Sequence, residues 1–197
     1  MAKYLCIFSA VDEHIQFIAA HEGSAKAYYD GEAPAESPNQ RKQRSLLGSL
    51  LTDPDEISRL AVPESWPQEQ PEVVDIAANT KNASMYHFLL NGSSQVVSGP
   101  VALFQCLYGK SSGIITVGDS EDEFAVEPAM LHLLLERLNT VVGDTLIELF
   151  EQWLDEHGID EDDCDADLEC LQEEFEALRD CVAEAIEAKR GLVWIVH

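Results

Sequence analysis

The last third of the chain carries apolar residues at every third or fourth position, which is the period of an amphipathic helix. A first run opens at Glu127-Pro128, and a second extends from Gly143 to Gly158. Asp165 or Asp167 is placed to cap a third helix, which we expect to end at Gly191. The apolar stripe of this third helix consists of Leu168, Leu171, Phe175, Leu178, Val182 and Ile186. The pattern therefore predicts three helices in this region.

Three short segments instead combine branched and aromatic residues in the way that strands do. They are Lys3 to Phe8, the glycine-bounded segment from Gly113 to Gly118, and Leu192 to Val196. Strands at both ends and in the middle, with helices between them, are typical of an α+β domain. We therefore predict one α+β domain over residues 1–197, in which several helices cover a small sheet of N-terminal, middle and C-terminal strands.

The first half of the chain has weaker periodicity. A helix is predicted from Ser9, as its N-cap, to about Glu22. Residues 24–43 contain glycine and proline without a helical or strand period, so they predict a long loop, followed by a short helix from Ser45 to Leu51. Two more helices are predicted, from about Asn79 to Leu90 and from Gly99-Pro100 to Leu107.

The charge balance is far from that of an average domain. Twelve Lys and Arg residues face 37 Asp and Glu residues, which gives a formal net charge of −25 at pH 7. Cations that neutralise phosphates supply most of the affinity of nucleic-acid-binding proteins, so this charge disfavours direct binding of DNA, RNA or an anionic membrane. A basic protein is the natural partner. The alternative explanation of the negative charge is that it only keeps the protein soluble.

Cysteine usage indicates a reducing compartment. The five cysteines make an odd count, and no two of them form a C-x-x-C pair, which is unlike a disulfide framework. The apolar N-terminal segment soon meets Asp12 and Glu13 without a leader-type cleavage site, and no window has the length of a membrane span. The sequence therefore predicts a cytoplasmic protein.

The strongest functional signal is a run of acids in the C-terminal third. No Lys or Arg lies between Arg137 and Arg179. Two antiparallel helices joined at residues 158–166 would place much of this charge on one outer surface, where it would steer a basic partner. A solvated helix face is the alternative, although neighbouring like charges destabilise a helix. The predicted partner-binding residues are Asp155, Glu156, Asp160, Glu161, Asp162, Asp163, Asp165 and Asp167.

A different pattern lies in residues 81–92. The motif His87-Phe88-Leu89-Leu90-Asn91-Gly92 resembles the His-Phe-Leu-Leu-x-Gly pattern of the YfbM-like bacterial proteins, a family of unknown function. The helix that begins at Glu127-Pro128 and the terminal strand after Gly191 also resemble features of that family. The resemblance implies an α+β fold and no particular activity. The family often has Trp-His where this chain has Ala83-Ser84, so a pocket lined by that pair in relatives would be altered here.

No catalytic, cofactor or metal signature accompanies these patterns. The P-loop, the dinucleotide fingerprint, Gly-x-Ser-x-Gly and His-Glu-x-x-His are absent from the sequence. Asp163, Asp165, Asp167 and Glu174 fall at acidic positions of a calcium-binding loop, but Leu168 stands where that loop requires glycine. We therefore predict no cofactor, no metal site and no enzyme activity.

The acidic charge and the resemblance together point to the immunity proteins that bacteria encode beside antibacterial toxins, among which proteins of this sort are found. We expect the chain to bind and neutralise a cognate toxin, with a basic nuclease such as a DNase delivered by type VI secretion as the leading candidate. Two alternatives stay open. One is a small ligand-binding protein or enzyme with a pocket near His87 and residues 109–118. The other is a DNA mimic, which would tolerate several basic partners.

Overall fold

A computed structural model of the chain describes residues 4–21, 23–34, 62–79, 81–108, 115–116, 122–160 and 166–196. Its five strands are β1 (Tyr4–Val11), β2 (Val73–Asn79), β3 (Ile115–Thr116), β4 (Glu123–Val126) and β5 (Arg190–Val196). They form one antiparallel sheet in the order β2-β1-β5-β4-β3. The first and last strands of the chain therefore pair near the centre of the sheet, with Leu5 opposite Val196.

Helices surround this sheet. The α-helices are α1 (Asp12–Ala20), α2 (Ser24–Asp30), α3 (Ala83–Asn91), α4 (Leu131–Leu138), α5 (Asp144–His157) and α6 (Leu168–Glu187). Two 3-10 helices span Pro100–Tyr108 and Pro128–Met130. The structure confirms the predicted α+β class, with a sheet of N-terminal, middle and C-terminal strands and a helical C-terminal third. The extent of the single domain over residues 1–197 stays a prediction.

Helix boundaries in the C-terminal third follow the predicted signals closely. Gly158 adopts a left-handed conformation, with φ of 63°, and ends α5. Asp167, and not Asp165, is the N-cap of α6, because its carboxylate accepts a hydrogen bond from the Glu169 amide at 3.1 Å. The prediction for Gly191 was wrong, since α6 ends at Glu187 and Gly191 lies inside β5.

Four other predictions in the N-terminal and middle segments were wrong or incomplete. Residues 24–30 form α2 and not a loop, and Ser9 lies in β1 while α1 begins at Asp12. Strands β2 and β4 were not predicted. The first contains Asp, Asn and two Ala residues, which are depleted in strands, and all four residues of the second are buried, which removes the alternating pattern. The predicted helix at 45–51 lies outside the described residues.

The two faces of the sheet carry separate hydrophobic cores. Leu5 and Ile7 of β1 point into the larger core, which α3 to α6 complete, while Cys6 and Phe8 point into a smaller core beneath α1 and α2. This division follows from the alternation of side chains along a strand. Trp194 of β5 belongs to the larger core and is fully buried.

A buried carboxylate joins β4 to α2. Glu123 is 7% exposed and accepts hydrogen bonds from the Gly23 amide at 2.9 Å and the Lys26 amide at 3.2 Å. These amides lie at the N-terminus of α2, where backbone N–H groups have no helical partners and negative charge is favoured. The carboxylate thus fixes a short helix that local sequence signals did not predict.

His14 of α1 is a buried histidine in the smaller core. Its Nδ1 atom lies 3.2 Å from the Tyr28 hydroxyl, and its Nε2 atom lies 2.9 Å from the Ser65 hydroxyl. Burial lowers the pKa of the imidazole, and Arg190 lowers it further, while Glu13 raises it. Neutral His14 is therefore the form that the folded protein favours.

We expect this histidine to make stability fall as the pH drops. The pKa of His14 in the folded protein is below the ordinary value of about 6.5. Its contribution to the free energy of unfolding is therefore complete above that pH. This contribution is lost as the pH falls, because the unfolded chain takes up the proton more readily than the folded protein. Urea unfolding between pH 7.5 and pH 5 should show a smaller loss in His14→Gln than in the wild type. His132→Gln, at an exposed position of α4, is the control. Equal pH slopes in all three proteins would contradict the prediction.

Candidate partner-binding surface

Four of the eight acids predicted to bind a partner are described. Asp155 and Glu156 lie in the last turn of α5, Asp160 follows it, and Asp167 caps α6; all four are exposed. Glu156 also accepts a hydrogen bond from Gln152 at 2.8 Å. The other four, Glu161, Asp162, Asp163 and Asp165, lie outside the described residues.

The two helices that carry these acids are held by different neighbours. Helix α5 packs mainly against α3, whereas α6 packs mainly against α4 and the sheet. Helices α5 and α6 therefore contact each other less than they contact these neighbours. The charge that the described residues bring together lies along α6.

One face of α6 forms an acidic stripe. Its members are spaced by three or four residues, so they share one side of the helix, and all of them are exposed. Leu171, Phe175, Leu178 and Val182 line the opposite, buried side. A helix of 20 residues is about 30 Å long, so the stripe has the length of a small protein interface. The acidic stripe consists of Glu169, Glu173, Glu176, Asp180, Glu184 and Glu187.

A single cation of α6 offsets this charge. Arg179 contacts Glu176 at 3.1 Å and Asp180 at 3.3 Å. The side chains of both acids are more than half exposed, so these ion pairs contribute little to stability. Most of the carboxylates of the stripe therefore face solvent without a cation from their own helix.

A groove of about 660 Å³ runs beside the stripe, between α6 and the segment that leads into β2. Glu69 and Glu72 line it from that segment, and Asp180 and Glu184 line it from α6. Arg190, at the start of β5, is the cation among the lining residues. We call this feature the α6–β2 groove. Carboxylates from two separate segments favour a cationic occupant.

The groove also contains a cysteine. Burial raises the pKa of the Cys181 thiol to about 11, and the carboxylates of Glu184 and Glu72 act in the same direction. Burial likewise raises the pKa of Cys6 to about 11 and that of Cys106 to about 12. These thiols stay protonated near neutral pH, which disfavours a role as nucleophile or thiolate ligand.

On its other flank α6 borders a smaller notch of about 250 Å³, with both apolar and polar lining residues. Val141, Leu146 and Phe175 belong to its buried lining, and the neighbouring Val142 is 41% exposed. Glu176 and Arg179 also line this notch. The notch thus places apolar side chains beside charged ones.

Glu174 has a structural role within α6. Its carboxylate accepts hydrogen bonds from the Tyr86 hydroxyl at 2.6 Å and from the Ala77 amide at 2.9 Å. Burial of the phenol, together with this carboxylate, raises the pKa of Tyr86. The contacts tie α6 to both α3 and β2, and so position the groove.

His87, the centre of the alternative pocket hypothesis, lies inside the larger core. It is 1% exposed, and its Nε2 atom donates to the Gln95 carbonyl oxygen at 2.8 Å. Its Nδ1 atom lies 3.3 Å from the Asn91 side-chain nitrogen, which also donates to the Val101 carbonyl oxygen at 3.0 Å. The ring therefore anchors the connection after α3. Of residues 109–118, only 115–116 are described.

In the described part of the chain, no group of three or more His, Cys, Asp and Glu side chains is arranged to hold a metal ion. Of the calcium-loop positions, Asp167 caps α6 and Glu174 is engaged as above, while Asp163 and Asp165 lie outside that part. Nor does any described helix combine the length and the hydropathy that a bilayer crossing requires.

None of the eight predicted acids belongs to the acidic stripe, and none of the four that are described lines the α6–β2 groove. The acidic run used for the prediction ends at Arg179, although Asp180 and Glu184 continue the same helical spacing. That spacing was a usable signal. No local signal placed Glu69 and Glu72 opposite them, because more than 100 residues separate the two segments.

Fold and surface together define an acidic α+β protein with a charged groove. No family model and no curated protein matches the chain. The chain is similar to a solved structure of YfbM from Escherichia coli, a protein of unknown function, with 16% identity and a TM-score of 0.43 over 100% of both chains. YfbM gives its name to the family that the His87 motif resembles. At this identity and TM-score the similarity says nothing about function.

Proposed function

We propose that the chain is an immunity protein that binds and neutralises a basic antibacterial toxin, a nuclease such as a type VI DNase, by covering its nucleic-acid-binding cleft. The observation that carries the proposal is the acidic stripe of α6, which faces solvent with Arg179 as its one cation. The binding would take place in the cytoplasm of the producing cell.

The charge of such a toxin supplies the physical reason. A nuclease cleft holds phosphates with Lys and Arg, and a rigid row of carboxylates can occupy the same cations. Complementary charge also accelerates encounter by orders of magnitude at low salt. Meanwhile, like charges at neighbouring helical positions cost about 0.2–0.5 kcal/mol per pair in the free protein. Tolerating that cost favours a role in binding over simple solubility.

Charge alone does not give tight binding, because hot spots are desolvated and well packed. The notch offers apolar side chains next to the stripe, with Val142 exposed at its margin. An apolar side chain of the toxin in this notch would place neighbouring Lys or Arg residues against Glu176 and Asp180. The apolar and the charged contacts would then lie side by side.

Co-expression with the proteins encoded by the neighbouring genes, to find a toxin among them, tests the proposal. We expect the chain to restore growth, to co-purify with the toxin and to inhibit its nuclease activity in vitro. Inhibition should weaken as salt is raised from about 50 mM to about 500 mM, because salt screens the electrostatic attraction between the two proteins. An unrelated acidic protein of similar size is the control.

Failure to protect cells and failure to bind the toxin would together overturn the proposal. Inhibition of several unrelated basic nucleases with similar affinity would instead indicate a DNA mimic, since an immunity protein discriminates its cognate toxin. The ligand-binding alternative gains no support from His87, whose Nε2 atom is hydrogen bonded within the core.

A further inference from the structure

We propose that Ser65 and His14 form a nucleophile–base pair that accepts the acyl group of a neutral or cationic ester on the Ser65 hydroxyl. This activity is separate from the proposed function, and neither depends on the other. Because 51 positions separate the two residues, no local motif marks them in the sequence. Nucleophilic catalysis requires a hydrogen bond between nucleophile and base, a third group that orients the base, and access for the substrate.

The contact between the two side chains is direct. The Ser65 hydroxyl oxygen lies 2.9 Å from Nε2 of His14, which is the distance at which a base can take up the proton of a nucleophile. His14 is 4% exposed, and burial lowers the pKa of its imidazole. The ring is therefore neutral near pH 7 and able to accept that proton.

A third residue orients the base. The Tyr28 hydroxyl lies 3.2 Å from Nδ1, the other nitrogen of the His14 ring. Burial raises the pKa of Tyr28, so this group stays a neutral phenol, whose oxygen can accept a hydrogen bond from the Nδ1–H group. That tautomer leaves the lone pair of Nε2 directed at Ser65. Tyr28 is therefore a positioning residue.

The serine is held in a turn that Trp66 anchors. The Trp66 amide donates to the Pro63 carbonyl oxygen at 3.0 Å, which closes a turn with Ser65 at its third position. Trp66 is 4% exposed, and its Nε1 atom donates to the Glu32 carbonyl oxygen at 2.8 Å. Its ring packs against that of His14, with centroids 5.6 Å apart. The hydroxyl and the imidazole are therefore positioned relative to each other before a substrate binds.

The two members of the pair differ in their access to solvent. Ser65 is exposed, whereas His14 is buried. An ester can therefore reach the hydroxyl from solvent while the base is shielded from water. The neighbours in sequence, Glu64 and Glu13, are both exposed, and the whole chain has a net charge of −25. This charge repels anionic esters and favours a neutral or cationic substrate.

The reaction is an acyl transfer. The Ser65 oxygen attacks the carbonyl carbon of the ester, and its proton passes to Nε2 of His14. The bond to the leaving alcohol then breaks as the alkoxide takes that proton, which gives acyl-Ser65 and a free alcohol. Water releases the acid by the same two proton transfers. Loss of the carboxylate that orients the histidine costs serine proteases about 10⁴ in kcat, so with a phenol in that place we expect a slow reaction.

A fluorophosphonate probe tests the pair on the full chain, since it phosphonylates an activated serine and releases fluoride. We expect one adduct in the intact mass, located at Ser65 by peptide mass spectrometry. His14→Gln should react at least about 100-fold more slowly. The rate of the wild type should fall as the pH drops below about 6.5, because His14 takes up a proton. Glu13 of α1, Arg190 of β5 and the Tyr28 hydroxyl are the other charged or titratable groups that act on His14.

Matched variants separate activation from exposure. Ser65→Ala should abolish the adduct, and Ser98→Ala, at another exposed serine, should leave it unchanged. Tyr28→Phe keeps the ring and removes the hydroxyl. It should lower the maximal labelling rate by about tenfold without changing the probe concentration at half-maximal rate, a split that a merely structural role would not produce.

Three results would overturn the inference: no adduct at Ser65, equal labelling of Ser65 and Ser98, or a labelling rate that does not change between about pH 5 and about pH 8. Near-UV circular dichroism checks the fold of His14→Gln. If that variant does not fold, the pH profile of the wild type and the rate of Tyr28→Phe decide the question.

Discussion

Replacing three acids of the stripe by amides, in Glu173→Gln/Asp180→Asn/Glu184→Gln, is expected to slow association with the basic toxin by roughly tenfold at low salt. The three residues are exposed on α6, and two of them line the groove. Their charges act at a distance during encounter, so the loss should appear mainly in the association rate. Stopped-flow or surface-plasmon measurements at two salt concentrations give this rate, and the difference between variant and wild type should shrink as salt rises.

The same variant should be more stable than the wild type when free. The changes remove like-charge neighbours along α6, at about 0.2–0.5 kcal/mol for each pair, so we expect a gain of about 1 kcal/mol in urea unfolding. The matched control is Asp12→Asn/Glu13→Gln/Glu127→Gln, which removes the same charge at exposed positions outside α6. If the control slows association as much as the stripe variant, net charge and not the stripe governs binding, and the assigned surface is wrong.

The second large effect is expected at Gly191, where alanine should cost about 3 kcal/mol of unfolding free energy. A Cβ atom at this position would lie 2.4 Å from the Val126 carbonyl oxygen and 2.8 Å from Cγ1 of Ile15. The carbonyl belongs to β4, which pairs with β5 at this point. It cannot move away without disturbing the sheet, so the clash must be accommodated by shifting a strand. Denaturant unfolding monitored by tryptophan fluorescence measures the loss.

Two comparisons identify the cause. Gly158→Ala places the same methyl group at a left-handed position where nothing lies within 4 Å, so only backbone strain of about 1 kcal/mol is expected. Adding Ile15→Ala to Gly191→Ala removes the side-chain clash and leaves the carbonyl clash. Full recovery in that double variant, or equal losses at the two glycines, would show that the carbonyl of Val126 is not the obstacle.

Much of the C-terminal third could be predicted because its signals are local. Helix starts and ends depend on the backbone of single residues and their near neighbours. Examples are the start at Pro128, the end at Gly158 and the N-cap at Asp167. Helix α6 buries its apolar side as the period of its sequence indicates. The acidic character of its other side follows from the same period.

Elements that depend on distant partners could not be predicted in this way. Helix α2 is short and is fixed by Glu123, a residue of β4. Strand β4 has no alternation because both of its faces are buried. Gly191 suits the end of a helix by sequence, yet its role is the close approach of β4 and Ile15.

By itself, then, the sequence determined the α+β class, the helices of the last third and a charge that favours a basic partner, because composition and local periodicity require no knowledge of distant contacts. Only the tertiary structure decided that His87 is a buried anchor and that Glu69 and Glu72 face Asp180 and Glu184 across a groove. These residues meet because α6 packs on the sheet that contains β2. Packing between segments far apart in the chain leaves no periodic pattern in either of them.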